Sequence, residues 1–356
     1  MLLSLMNMLI FGMAGFVLMY AMYRPLLNKF TLTQELSLKI LPFPYIFGLY
    51  IAGTIAAYCF AGDKDFVEPL TLARAFLPLV FAGLIYVTSL LFSEMVFGIV
   101  VAAAVAFTVL LQPVGMAIEL WGISPYIMQL LFFLFGVAFC LGMRIFNILP
   151  HTLVIELSSV LFGICILCFV GASPLFVALC AAVLIGVSGA FLSLNYYNVK
   201  MDFDDGACVA IAYLVCNLML LNIGEFSFPS CVIFTMLLWA ELVMALYRKY
   251  ILSQGGALRE NTSCYAGADV YTLQGLSANV LRVCAVLLFI GWFQLFSVNQ
   301  YSLLIVSFCL ALWLGNALGA PQPTSLKEIN QEFVNELKQN IEETKNLLSR
   351  NKKDNQ

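Results

Sequence analysis

The chain has 356 residues, of which 62% are hydrophobic and only 10% charged, with a formal net charge of −3 and a mean hydropathy of +0.97. That balance excludes an ordinary soluble globular domain. The small net charge says little by itself; the placement of the charges carries the signal.

Apolar runs of roughly 17–25 residues, each long enough to cross a bilayer as a helix, recur along most of the chain. In order they predict eleven spans, at about 2–22, 40–61, 73–92, 95–117, 124–142, 150–170, 174–194, 207–223, 230–247, 279–298 and 301–319. The first run lacks a charged leader and a small-residue cleavage site, so it is expected to be a span. The fold class expected is all-α: a polytopic membrane protein of about eleven helices with a short C-terminal helix. If Met1 starts outside and the spans alternate, the inside loops hold Arg24, Lys29, Lys39, Arg144, Lys200, Arg248, Lys249, Arg259 and Arg282. The outside loops then keep only Lys64 and Arg74. This asymmetry follows the positive-inside rule and puts the long loop 248–278 on the inside.

Two domains are expected. Residues 1–319 form the membrane domain, and 320–356 form an inside tail that follows the Pro-rich break GAPQPTS. Within the tail, Ser325 and Glu328 have capping-box spacing. Phe333, Leu337, Ile341, Thr344 and Leu348 then recur on one helical face. That face would pack on the membrane domain or on its own copy, as in a homodimer. The eleven cysteines are scattered singly, and Cys140, Cys165, Cys168, Cys180 and Cys216 read as small core hydrophobes. Glu156 and Glu241 lie near the inner ends of apolar runs and are expected to snorkel or to pair with Arg144 or Arg248; Glu225 sits in a short outside turn. Tyr196, Tyr197, Trp239 and Trp292 fit an interfacial aromatic belt. His151, the single histidine, follows Pro150 at a helix start. The Gly186–Gly189 step suits close helix packing.

One stretch breaks the apolar monotony. LSLNYYNVKMDFDDGACVAIAYLV sets Lys200, Asp202, Asp204 and Asp205 within six residues between two predicted helices. Carboxylates in a turn suit a hard cation such as Mg²⁺, which takes oxygen ligands and often bridges phosphates. A charged loop that only marks the membrane boundary is the other reading. Asn195, Asn198 and Lys200 add donors beside the acids.

The same stretch resembles a signature of the polyprenyl-phosphate N-acetylhexosamine-1-phosphate transferases, within glycosyltransferase family 4. Ala190-Phe191-Leu192-Ser193-Leu194-Asn195 matches the family's approach to the loop. Lys200-Met201 stands where the family has Lys-Ile, and Asp205 keeps the motif aspartate's spacing from the Asn. Gly275-Leu276-Ser277 matches a second family segment, and Arg144-Ile145-Phe146-Asn147 a third, where the family has Asn-x-x-Asn. In order, these cover roughly residues 130–300. The resemblance implies ten or eleven transmembrane helices and an active site on cytoplasmic loops of a bacterial inner membrane. It implies transfer of a sugar-1-phosphate from a UDP-sugar to polyprenyl phosphate, with Mg²⁺ as cofactor. On the matched positions, Asp205 would bind the metal, with Asp204 and Asp202 as auxiliary acids. Asn195, Lys200 and Asn147 would contact nucleotide or phosphate. No nucleic-acid partner is expected.

The chain also departs from the pattern. Ala266-Gly267-Ala268-Asp269 replaces His-x-His-His. Pro150 and Leu153 stand at the positions of an aspartate pair, and Thr88 and Ser89 stand near where another Asp-Asp belongs. Phosphoryl transfer depends on metal neutralisation of charge, so such losses cost rate. Two other readings therefore stand beside the enzyme: a non-catalytic relative that binds a lipid carrier or partner, and an ion-coupled transporter. The transporter lacks the half-to-half repeat and mid-membrane charges that fold would show.

Overall fold

The computed structural model describes residues 2–30, 38–40, 42–59, 69–111, 125–147, 150–169, 175–194, 201–221 and 235–251, with residues 305, 306, 308, 309 and 312. Among them are nine α-helices: α1 Leu2–Phe30, α2 Phe43–Cys59, α3 Pro69–Leu91, α4 Glu94–Leu111, α5 Pro125–Phe146, α6 Pro150–Phe169, α7 Leu175–Leu194, α8 Asp205–Leu221 and α9 Met236–Leu246. A π-helical turn, Tyr247–Ile251, continues α9. The first nine expected spans thus each carry a helix. The expected span at 279–298, most of that at 301–319, the loop 252–278 and the tail lie outside the described residues.

Four helices, α1, α4, α5 and α7, are long and apolar enough to cross a bilayer, and α2, α3, α6 and α8 carry shorter apolar stretches among the described residues. Lipid offers no hydrogen-bond partner to a backbone, so a spanning segment must satisfy its own N–H and C=O groups as a helix. The molecule is a helical membrane protein.

Two helices sit at the centre. In α7, Val177–Leu184 is buried throughout, and in α8 every residue from Gly206 to Leu220 is buried. Their sequences explain the position, since Ala, Gly, Cys and Ser make up much of both and let neighbouring backbones approach. In a bilayer such close packing, rather than expulsion of water, draws helices together. Helices α1, α2 and α6 pack on α7, and α3, α4, α5 and α6 pack on α8.

Among the described residues, α1 and α7 cross backbone against backbone. A Cβ on Gly186 would collide with the carbonyl oxygen of Gly12, and one on Gly15 with that of Val183. Gly186 of the Gly186–Gly189 step therefore serves close helix packing, whereas a Cβ on Gly189 would meet only Phe16, at 3.9 Å. Of the cysteines expected in the core, Cys140, Cys165, Cys180 and Cys216 are buried and Cys168 is half-buried, all as free thiols.

One element was not legible in the sequence. Leu38–Ile40 (β1) pairs in parallel with Met201–Phe203 (β2), in the register Leu38 with Met201, Lys39 with Asp202 and Ile40 with Phe203. This small ladder is the one addition, among the described residues, to the expected all-α architecture. It also ties the segment after α1 to the segment after α7, placing both at one end of the bundle.

Candidate functional site

The acidic loop leads into the start of α8, and its geometry begins with Asp204. Its Oδ1 accepts the backbone N–H of Ala207 at 2.6 Å, and its carbonyl accepts the N–H of Cys208 at 3.0 Å. Asp204 is therefore the N-cap of α8, occupying one of the orphan donors that every helix start presents. Asp205 follows as the first helical residue, where the positive end of the helix favours a carboxylate. Gly206 comes next because α3 leaves no room: a Cβ there would collide with the hydroxyl of Ser89.

Asp205 meets two residues from the end of α5. Arg144 donates from Nη2 to Asp205 Oδ2 at 2.9 Å and from Nε to the same oxygen at 3.3 Å. Asn147 Nδ2 donates to Asp205 Oδ1 at 3.4 Å and to the carbonyl of Phe203 at 3.1 Å. The Arg144 guanidinium then reaches the start of α4, giving Nη1 to Glu94 Oε2 at 2.8 Å and Nη2 to Glu94 Oε1 at 3.0 Å. It lies 5.7 Å from the ring of Phe97, a cation–π distance. Cys208 donates its thiol hydrogen to the Met143 carbonyl at 3.4 Å, closing α5 onto α8.

The arrangement places the ends of α3, α4, α5 and α8 and the β1–β2 ladder at one end of the bundle. These are the loops expected to share one side. Side-chain exposure falls from 78% at Glu94 and 53% at Asp205 to 26% at Arg144, so the network faces water with the guanidinium as its floor. Asn147 Oδ1 is shut off from solvent and has no hydrogen-bond partner among the described residues.

Of the expected site residues, the structure brings together Asp204, Asp205 and Asn147. Asp202 lies in β2 across from Lys39, and Asn195 and Lys200 lie outside the described residues. The pairing of Arg144 with Glu94 and Asp205 emerges only from the structure; Glu156, expected to snorkel or to pair with Arg144 or Arg248, is buried in α6. A charge inventory held the signal, because Arg144 is the only Lys or Arg expected on an inside loop between Lys39 and Lys200. Thr88 and Ser89 return hydrogen bonds to their own helix, to Leu84 at 2.7 Å and Tyr86 at 2.6 Å.

The donor set can be compared with what Mg²⁺ requires, which is several oxygens converging at octahedral geometry. Here both Glu94 oxygens and Asp205 Oδ2 accept from Arg144, and Asp204 Oδ1 is taken by the helix start. Among the described residues, no group of three His, Cys, Asp or Glu side chains converges to hold a metal. As arranged these residues form an ion-pair network that does not fit a metal cage.

The fold and site define a multi-helix membrane protein with a charged cluster at one end. No protein-family model matches the chain, and no curated protein sequence matches it.

Proposed function

We propose that the protein is a divergent sugar-1-phosphate transferase of the polyprenyl-phosphate type, working at the cytoplasmic face of a bacterial inner membrane. It would move a sugar-1-phosphate from a UDP-sugar to polyprenyl phosphate for surface polysaccharide synthesis. The observation that carries this reading is the contact between Asn147 and Asp205, at 3.4 Å. The two positions are 58 residues apart and match separate motifs of that family. Four acidic or amide groups gathered at the basic end of a membrane bundle suit a site where a soluble nucleotide meets a lipid substrate.

The chain's own residues divide the work. Asp204 fixes the start of α8, and Asp205 presents a carboxylate to water from that start. Arg144 holds Asp205 and Glu94 in one plane of charge, and Asn147 joins Asp205 to the β2 backbone. Within this proposal Asp205 would hold a Mg²⁺ ion that supplies charge neutralisation, although its Oδ2 accepts from Arg144 in this arrangement. That hydrogen bond favours the second reading, a non-catalytic relative in which the Asp205–Arg144–Glu94 network is purely structural.

The deciding experiment is transfer of radiolabel from a panel of UDP-sugars to undecaprenyl phosphate by purified protein, with and without Mg²⁺. Label in the lipid extract that disappears in Asp205→Asn supports the transferase. Absence of label for every donor, from protein that melts normally, overturns it and leaves the non-catalytic relative.

A further inference from the structure

The α1 helix carries a feature that neither reading uses. Its outer face is a ridge of exposed apolar side chains, with Leu9, Met13 and Val17 at 59%, 69% and 61% exposure. A groove runs along each side of that ridge. One, of about 590 Å³, lies between α1 and α2 with its floor at Gly15 and Gly48. The other, of about 510 Å³, lies between α1, α6 and α7 with its floor at Gly12, Gly186 and Gly189. Met13 borders both. The grooves are deep because α1 rests on α7 through glycines, which leave no side chains to fill the flanks.

The chemistry at the end of the ridge identifies an occupant. From Met1 to Tyr23 the chain has no charged side chain, and Arg24 is the first. Its guanidinium carbon stands 4.9 Å from the centroid of the Tyr20 ring, while Arg24 itself is exposed. Ala21, which borders the first groove, is three residues earlier, about 4.5 Å along the helix axis. The first slot therefore ends beside the anchored cation, and the second ends at Phe16, eight residues before Arg24 and about 12 Å along the axis. Arg binds phosphate oxygens with paired N–H groups, and stacking on the ring leaves those donors free.

We propose that this ridge binds one anionic diacyl glycerophospholipid from the surrounding bilayer, with a chain in each groove and its phosphate against Arg24. A second copy of the chain suits the surface less well. A two-fold axis along the bilayer normal that paired the ridges would set Arg24 against Arg24 at equal depth, a like-charge contact. The inference is independent of the transfer reading, because α1 contributes nothing to the Asp205 cluster.

The test uses the full chain in detergent, with lipid retention read by intact-complex mass spectrometry and folding checked by thermal melts. Wild type is expected to retain phosphatidylglycerol at one molecule per chain, about fivefold more tightly than phosphatidylcholine. That factor corresponds to the roughly 1 kcal/mol that one basic residue contributes near an anionic lipid surface. Arg24→Gln should erase the preference. Ala14→Phe puts a ring into the first groove from an exposed position and should lower retention of both lipids. Equal retention of the two lipids by wild type overturns the proposal, as does a preference that survives Arg24→Gln. So does inorganic phosphate that raises the melting temperature as much as phosphatidylglycerol. A lipid-independent dimer broken by Ala14→Phe would assign the ridge to a second copy.

Discussion

Gly186 and Gly12 face each other where α1 crosses α7, yet the structure makes them unequal. A Cβ added to Gly186 would overlap the Gly12 carbonyl oxygen and stand 2.8 Å from its carbon and 3.0 Å from the Phe16 nitrogen. All three atoms are backbone and cannot rotate away. A Cβ added to Gly12 would meet only the Ala182 oxygen, at 3.5 Å, an ordinary contact. Gly186→Ala must therefore push the helices apart along their closest contact, forfeiting dispersion along both faces. Overpacking of this kind costs about 3 kcal/mol at the upper end of its usual range. Replacing a helical glycine returns roughly 1 kcal/mol of backbone propensity, which leaves a net loss of about 2 kcal/mol. Gly12→Ala should keep the propensity gain and lose little. Gly83→Ala, where nothing lies within 4 Å of the new Cβ, should be neutral or stabilising. Equilibrium unfolding from mild detergent into dodecyl sulfate would rank the three. Equal losses in Gly186→Ala and Gly12→Ala, or none in either, would refute this account of the crossing.

Other predictions concern the charged end of the bundle. Asp204→Ala should destabilise by about 1 kcal/mol through loss of the cap, whereas Asp204→Asn, an equally good N-cap, should stay within a few tenths of wild type; the same unfolding titration reads both. Asp205→Asn should leave the fold intact, because its ion pair is half exposed and screened by salt. The β1–β2 register predicts that Leu38→Cys with Met201→Cys forms a disulfide on mild oxidation while Leu38→Cys with Phe203→Cys does not. Peptide mass spectrometry would detect either bridge. Cysteine labelling should find positions 200 and 260 accessible from one side of the membrane, and opposite sides would end the family comparison.

The helices were legible because lipid imposes a length and a composition on every segment that crosses it. The run read as 174–194 is the helix Leu175–Leu194, and that read as 150–170 is Pro150–Phe169. Departures have local causes. Helix α8 starts at Asp205, earlier than its apolar run suggests, because Asp204 caps it there. Helix α1 continues to Phe30 past Pro25, well beyond the end of its apolar run. The contacts of the site were less visible. Asn147 and Asp205 were singled out by motif, but a bridge from Glu94 through Arg144 to Asp205 joins positions 50 and 61 residues apart. No local periodicity records such a bridge. The β1–β2 ladder is three residues long on each side and equally non-local.

The three carboxylates of the acidic loop have separate fates, which narrows what the loop can do. Asp204 is committed to starting a helix, through an oxygen 2.6 Å from the Ala207 nitrogen. Asp202 sits in a ladder whose register sets it across from Lys39. Asp205 is exposed at the cluster's edge and is held by Arg144 and Asn147. An acidic cluster that looks in sequence like a metal site thus resolves into a cap, a strand position and an ion pair. Metal chemistry proposed at Asp205 must begin from that ion pair. It must also release that carboxylate from Arg144, because a guanidinium and a divalent cation compete for the same oxygens. Arg144→Gln separates the two roles. It removes the competing charge while leaving Asp205, Asn147 and the α8 cap in place. If Asp205 serves a metal-assisted transfer, this substitution should lower the Mg²⁺ concentration needed for half-maximal labelling of the lipid. If the network is structural, Arg144→Gln should change only stability, with the largest effect at low ionic strength, where pairs exposed to water are least screened.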